Sequence, residues 1–240
     1  MTFIEALNSQ DLEKIRKFPK ADLHNHFVLG GSREYIFNKT GYKIKSITTP
    51  LKSMGEMDSW SSKYIGNHFN SPEGRKLLIE ATFAQAKFDG VTVLEIGEDV
   101  WGLGEFFDND IEKMIFCFQE ANARIAPEIE LRLQIGLSRH CSVDYLMNCL
   151  SHFWGHKEFY SIDLYGDELA QSIANFIPIY DKAAENGLVL KAHVGEWGTA
   201  KDIITAVELL HLNEVQHGIA AVQDENVIEY LIENNIRLNI

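Results

Sequence analysis

Short apolar, β-branched runs alternate with amphipathic helical stretches along nearly the whole chain, and few folds accept that alternation. The runs cover residues 21–27, 91–96, 131–137, 159–164, 188–194, 214–219 and 236–240. Between them, Leu77, Leu78, Ala81, Ala84 and Phe88 keep helical spacing after a Ser71-Pro72-Glu73 start signal. Ile203, Ile204, Val207 and Leu210 do so after Thr199, and Val227, Ile228, Leu231 and Ile232 after Asp224. Strands that alternate with helices pair in parallel through right-handed crossovers, so an α/β class is expected. A doubly wound sheet can use seven strands, whereas an eight-stranded barrel needs one strand and one helix more than these 240 residues hold. Residues 40–70 break the period with Gly41, Pro50, Gly55, Gly66 and scattered aromatics, which predicts a lid or insertion. With no repeat, linker or low-complexity tract, residues 1–240 are expected to form a single domain.

Charge and composition narrow the partners. The net charge is −13, from 35 acidic and 22 basic residues, and nucleic-acid binding asks for a basic face, so no nucleic-acid partner is expected. No apolar stretch approaches the roughly 18 residues of a membrane span, and the first ten residues lack the basic start and apolar run of a signal peptide. Cys117, Cys141 and Cys149 are odd in number and lack metal-type spacing, so they are read as reduced core or near-core thiols of a cytoplasmic protein.

Four strand ends carry residues suited to chemistry. His24-Asn25-His26 lies inside the first run, and two side chains two apart on a strand share a face, so both imidazoles could reach one metal or simply cap polar groups at a strand end. His193-Val194-Gly195-Glu196 follows the fifth run: His193 could supply a third neutral nitrogen and Glu196 a proton carrier beside it. His217-Gly218 ends the sixth run, where an imidazole could orient or deprotonate a water, or bond to backbone. Ile162-Asp163-Leu164-Tyr165-Gly166-Asp167-Glu168 follows the fourth, and by itself could be a helix cap at Asp167 with favourable first-turn charge.

In this order the motifs resemble those of the adenosine deaminase family. Residues 18–26, Phe-Pro-Lys-Ala-Asp-Leu-His-Asn-His, are similar to that family's opening metal motif, and Ser138-Arg139-His140 to its third-strand end. The Gly166-Asp167-Glu168, His193-Val194-Gly195-Glu196 and His217-Gly218 segments resemble its fourth-, fifth- and sixth-strand motifs. The resemblance implies a (β/α)8 barrel of the metal-dependent amidohydrolase superfamily, with one zinc at the carboxyl ends of the strands. It further implies His24, His26 and His193 as metal ligands, Glu196 as the acid that protonates the purine ring and His217 as the group that holds the attacking water. Gly166 and Asp163 would be substrate-binding. The expected activity is hydrolytic deamination of adenosine or a related aminated purine, a small-molecule substrate.

Two departures bear on that expectation. Adenosine deaminases continue after His-x-His with Leu-Asp-Gly, whose Asp contacts ribose; here the chain reads Phe27-Val28-Leu29-Gly30-Gly31-Ser32, without an acid. The family's later Asp-Asp pair, one of which ligates zinc, does not occur in these residues, so the barrel is expected to be cut off at about seven of eight strands. On that expectation the chain alone is weakly active or inactive, a homo-oligomer or a missing carboxyl-terminal half is a possible partner, and another amidohydrolase activity on a different C–N bond is the alternative. An imidazole-rich site also accepts iron or manganese.

Overall fold

The structure is a computed structural model that describes residues 2–240. The chain divides into two compact units, Met1–Ile96 with Glu112–Leu131, and Gly97–Ile111 with Arg132–Ile240. All seven expected strands form, and every pairing within a unit is parallel. Among the described residues, no helix is long and apolar enough to cross a membrane.

In the first unit, β1 (Lys20–Asp22) pairs with β2 (Val91–Asp99), placing Ala21 opposite Val93 and Asp22 opposite Leu94. The helix Pro72–Asp89 begins as the sequence signals. Ser71 accepts from the Gly74 amide, Pro72 occupies the first turn, and Gly90 closes the helix in a left-handed conformation. Its buried face carries Leu78, Ile79, Thr82 and Phe83. The helix Ile111–Ile125 adds Met114, Ile115 and Phe118, whose ring meets Phe27 edge-on with centroids 5.9 Å apart. A polar tie supports this core: Glu80 accepts from Tyr35 at 2.9 Å and from Arg124 at 2.5 Å.

The first run was expected to remain a strand through residue 27, but β1 ends at Asp22. The Asp22 carboxylate accepts from the His24 amide at 3.4 Å and from the Asn25 side chain at 2.7 Å, a local turn that competes with the strand ladder. A short helix, Phe27–Gly30, follows immediately. The two imidazoles therefore stand on a turn, not on one face of a strand.

Residues 40–70 hold more structure than their sequence suggests. Helix Met54–Ser61 runs into a π-helical turn, Ser62–Gly66, and then Asn67–Phe69. The Tyr42 ring lies 3.8 Å from that of His68, and its hydroxyl donates to the Tyr64 carbonyl at 3.2 Å.

In the second unit, β3 (Glu130–Ser138), β4 (Phe159–Tyr165), β5 (Val189–Val194), β6 (Glu214–His217) and β7 (Arg237–Asn239) pair in succession. Helices Ile177–Glu185, Ala200–Leu210 and Glu225–Glu233 connect them. Successive residues of a strand point to opposite faces. One face is apolar, with Ile162 and Leu164 of β4, Leu190, Ala192 and Val194 of β5 and Val215 of β6 all buried. The other is polar, and the register sets its residues in rows: Asp163 beside Lys191, Lys191 beside Glu214, Glu214 beside Arg237. The next row runs His193, Gln216, Asn239. Here the buried strands alternate, although parallel strands covered on both faces usually read as continuous apolar runs.

Candidate active site

The ends of β5 and β6 bring the expected chemical groups of the second unit together. The Gly218 amide donates to the Val194 carbonyl at 3.0 Å and the Ala220 amide to the Gly195 carbonyl at 3.0 Å, which ties the two strand-end loops to each other. Glu196 and His217 meet in consequence: Glu196 Oε2 lies 3.3 Å from His217 Nε2, with both side chains about one-quarter exposed. His217 holds a left-handed φ of 65°, unusual for a residue with a side chain, and such strain collects where the surrounding structure fixes a functional group. Burial, opposed by the His193 charge and reinforced by that of Glu168, pushes the Glu196 carboxyl above its ordinary value. A carboxyl so placed keeps its proton to higher pH than a solvated one, as a general acid requires.

His193 is buried on β5, and its ring centroid is 4.9 Å from that of His217; ring nitrogens of the two lie within 4.8 Å. Its Nε2 faces Asp163 Oδ2 at 3.2 Å, and Gln216 donates to the same oxygen at 3.3 Å. A carboxylate against an imidazole is the usual device for orienting a ligating histidine. Asp163, expected to bind substrate, is 1% exposed and reaches the site by way of His193 and Gln216. Gly166 follows β4 at a φ of 92° and leaves its backbone beside His140. In the first unit, the His24 and His26 rings are 5.5 Å apart at 73°, held by the Asp22 turn. The His193 imidazole, set against the buried Asp163 carboxylate, is of the donor type that suits a zinc-class cation.

The sequence passed over two residues of this region. Glu168 is 3% exposed and its carboxylate turns toward the loop that carries Glu196, and Lys191 is fully buried two residues before His193. The Gly166-Asp167-Glu168 motif pointed to the neighbourhood of Glu168, but nothing local marked it off from a first-turn acid. Lys191 sits at the alternation phase of His193, a signal that could have placed it on the polar face. The half-buried Cys117, Cys141 and Cys149 lie apart from these strand-end residues in the sequence and take no part in the contacts described.

The adenosine deaminase family profile matches residues 101–240. A candidate adenosine/adenine deaminase of Treponema pallidum (strain Nichols) is 29% identical over 231 residues, 96% of this chain and 77% of that protein. The adenine deaminase of Vibrio parahaemolyticus is 33% identical, over 94% of this chain and 70% of the relative. An amidohydrolase from Burkholderia ambifaria, solved with bound zinc, shares the fold at a TM-score of 0.73 and 18% identity, covering 93% of this chain and 65% of its own. The fold is thus the α/β barrel type of these enzymes, with seven parallel strands in the described residues. The chain belongs to the adenosine deaminase family, whose members are hydrolytic deaminases.

Proposed function

We propose that this enzyme is a zinc-dependent hydrolase that removes the exocyclic amino group of an aminated purine, with the free base, adenine, favoured over its nucleoside. The observation that carries this reading is the Glu196–His217 pair at 3.3 Å, on strand ends tied by the Gly218–Val194 and Ala220–Gly195 hydrogen bonds. His24, His26 and His193 would hold the metal, a set supported by their residue chemistry and by the zinc in the Burkholderia amidohydrolase. Bound there, a divalent cation supplies Lewis acidity that makes water a nucleophile near neutral pH.

The chain's own groups do the rest. His217, at hydrogen-bonding reach of Glu196, orients the attacking water and takes a proton from it. Glu196 delivers its proton to the ring nitrogen next to the amino-bearing carbon, which offsets the lost conjugation when the C–O bond forms. The proton held at His217 then passes to the amino group, the C–N bond breaks to release ammonia, and the hydroxyl proton of the new C–OH returns to the Glu196 carboxylate as the 6-oxopurine forms. Asp163 fixes the His193 imidazole from behind, and the Gly166 backbone would contact the base.

Preference for the base rests on residues 27–32, which hold no acid to meet a ribose hydroxyl. Steady-state assays on adenine, adenosine and 2-aminopurine riboside are expected to give adenine a kcat/KM higher by about 10-fold or more, the size of one lost charged hydrogen bond. Equal or greater efficiency with adenosine would reject the base preference. Metal analysis of the purified chain should find zinc that His193→Ala loses and Glu196→Gln keeps. Retention of the metal by His193→Ala would remove that residue from the ligand set.

A further inference from the structure

The structure assigns Glu168 as a positioning residue for the loop that carries Glu196: its buried carboxylate fills a ring of backbone amides that would otherwise be open to an anion, and so fixes that turn. The assignment of a catalytic consequence rests on Glu196 being the proton carrier, while the clamp itself stands on geometry alone.

Four consecutive amides converge on this one side chain. Glu168 Oε1 accepts from Gly195 N at 2.6 Å, and Oε2 accepts from Glu196 N at 3.1 Å, Trp197 N at 2.8 Å and Gly198 N at 3.1 Å. Neither a helix nor a strand aims successive N–H groups at a single point, and amides arranged in this way form a concavity that holds anions. The Gly195 amide is buried and those of Glu196 and Gly198 are half-buried, and all four meet the carboxylate of a buried residue. The following amide, Thr199 N, turns to Asp202 at 2.7 Å, where the helix Ala200–Leu210 begins. Five amides in a row are thereby shared between two carboxylates.

The glycines at both ends of the turn fit this arrangement. A Cβ on Gly198 would stand 2.6 Å from Glu168 Oε1 and 3.0 Å from Asp202 Oδ2, so a side chain there would displace the carboxylate. Gly195 has a left-handed φ of 73°, and a Cβ on it would meet the Ile203 side chain at 2.7 Å. A carboxylate accepts on both oxygens, one donor at Oε1 and three shared at Oε2; a glutamine would offer one oxygen and turn an NH2 group toward N–H donors. Glu168→Gln therefore keeps the size and removes the function.

The test uses the full chain with amide hydrogen exchange over residues 195–198 and steady-state kinetics. Glu168→Gln is expected to speed exchange at these amides by about 10-fold or more, without a matching change in the helices Ile177–Glu185 and Glu225–Glu233. Its kcat should fall about 10-fold or more with KM within about threefold, because the misplaced Glu196 acts in the transition state. Formate added to Glu168→Ala should restore protection at residues 195–198, since the empty amide ring accepts a small carboxylate. Unchanged exchange at these residues in Glu168→Gln, or a kcat within twofold of wild type alongside faster exchange, overturns the assignment. Should Glu168→Gln not fold, Glu168→Asp, whose carboxylate is one methylene short, decides on the same exchange readout. Should the chain by itself turn over too little purine for kinetics, the exchange result alone judges the clamp.

Discussion

Replacement of Glu196 by Gln is expected to lower kcat for the aminated purine by about 100- to 10,000-fold, the range lost with a positioned general acid. The amide keeps the shape and a hydrogen-bonding contact with His217, 3.3 Å away, but has no proton of the required acidity. Burial first, and the Glu168 charge in addition, raise the Glu196 carboxyl against the opposing effect of His193. If the protonated carboxyl is the active form, wild-type kcat/KM falls as pH rises through that raised value, and the Gln variant loses this limb of the profile. Stability moves the other way. An acid whose folded pKa is raised costs stability once the pH exceeds its unfolded value, so Glu196→Gln should be as stable as wild type at low pH and more stable above neutrality. A variant with more than a tenth of wild-type kcat would remove Glu196 from the chemistry.

The second large effect concerns the polar row beneath the strand ends. Lys191 is wholly buried and its Nζ lies 3.0 Å from Glu214 Oε2, which also accepts from Asn239 at 2.8 Å, while Oε1 meets Arg237 at 2.8 Å. Lys191→Met is expected to destabilise the chain by about 3 kcal/mol at pH 7, the low end for a broken buried pair because Arg237 and Asn239 still partner the carboxylate. Burial by itself would raise the Glu214 carboxyl, but the Asn239 hydrogen bond and the Lys191 and Arg237 charges outweigh it and hold it below its ordinary value. The sign follows from linkage. A depressed acid contributes stability that is complete above its unfolded pKa and is lost as pH falls through the folded one. The gap between wild type and Lys191→Met should therefore shrink as pH drops below about 4, which urea unfolding at several pH values can follow. A gap that stays constant down to pH 2 would show that the ion pair is not its source.

The two predictions divide the polar face by height. Glu196 stands in the loop beyond β5 and His217 is the last residue of β6, with a quarter of each side chain open. Lys191 and Glu214 lie one row lower, closed to solvent, where a charge is kept only by its partner. A residue of the lower row can thus fail in folding while the upper row fails in catalysis, and the paired measurements separate these outcomes.

Much of this was legible without coordinates, for identifiable reasons. The strands at residues 91–96, 131–137 and 188–194 stood out because apolar, β-branched runs have few other places to go in an α/β chain. The helix starts at Ser71, Thr199 and Asp224 were readable because a cap is a local bond between near neighbours, and each is the N-cap residue found. The motifs that carry Glu196 and His217 could be placed at strand ends because that is where α/β folds gather chemistry, and their order along the chain gave the family resemblance. Where a competing local interaction existed, reading the period alone failed: the Asp22 side chain captured His24 and Asn25 and ended β1 before the residues expected on it.

What the tertiary structure alone decided is the set of partners brought from far along the chain. Asp163 meets His193 across 30 residues, Lys191 meets Glu214 through strand register, and Glu168 gathers the amides of residues 195–198. Periodicity and capping are short-range effects, set by the geometry of a few consecutive peptides, so the sequence determined the elements and their chemical ends. Register, and the burial that forces each charged or polar group to find a partner, arise only when strands pair and loops close. For that reason the kind of chemistry could be read from the chain by itself, while the residues that hold its acid and its loop in place could not.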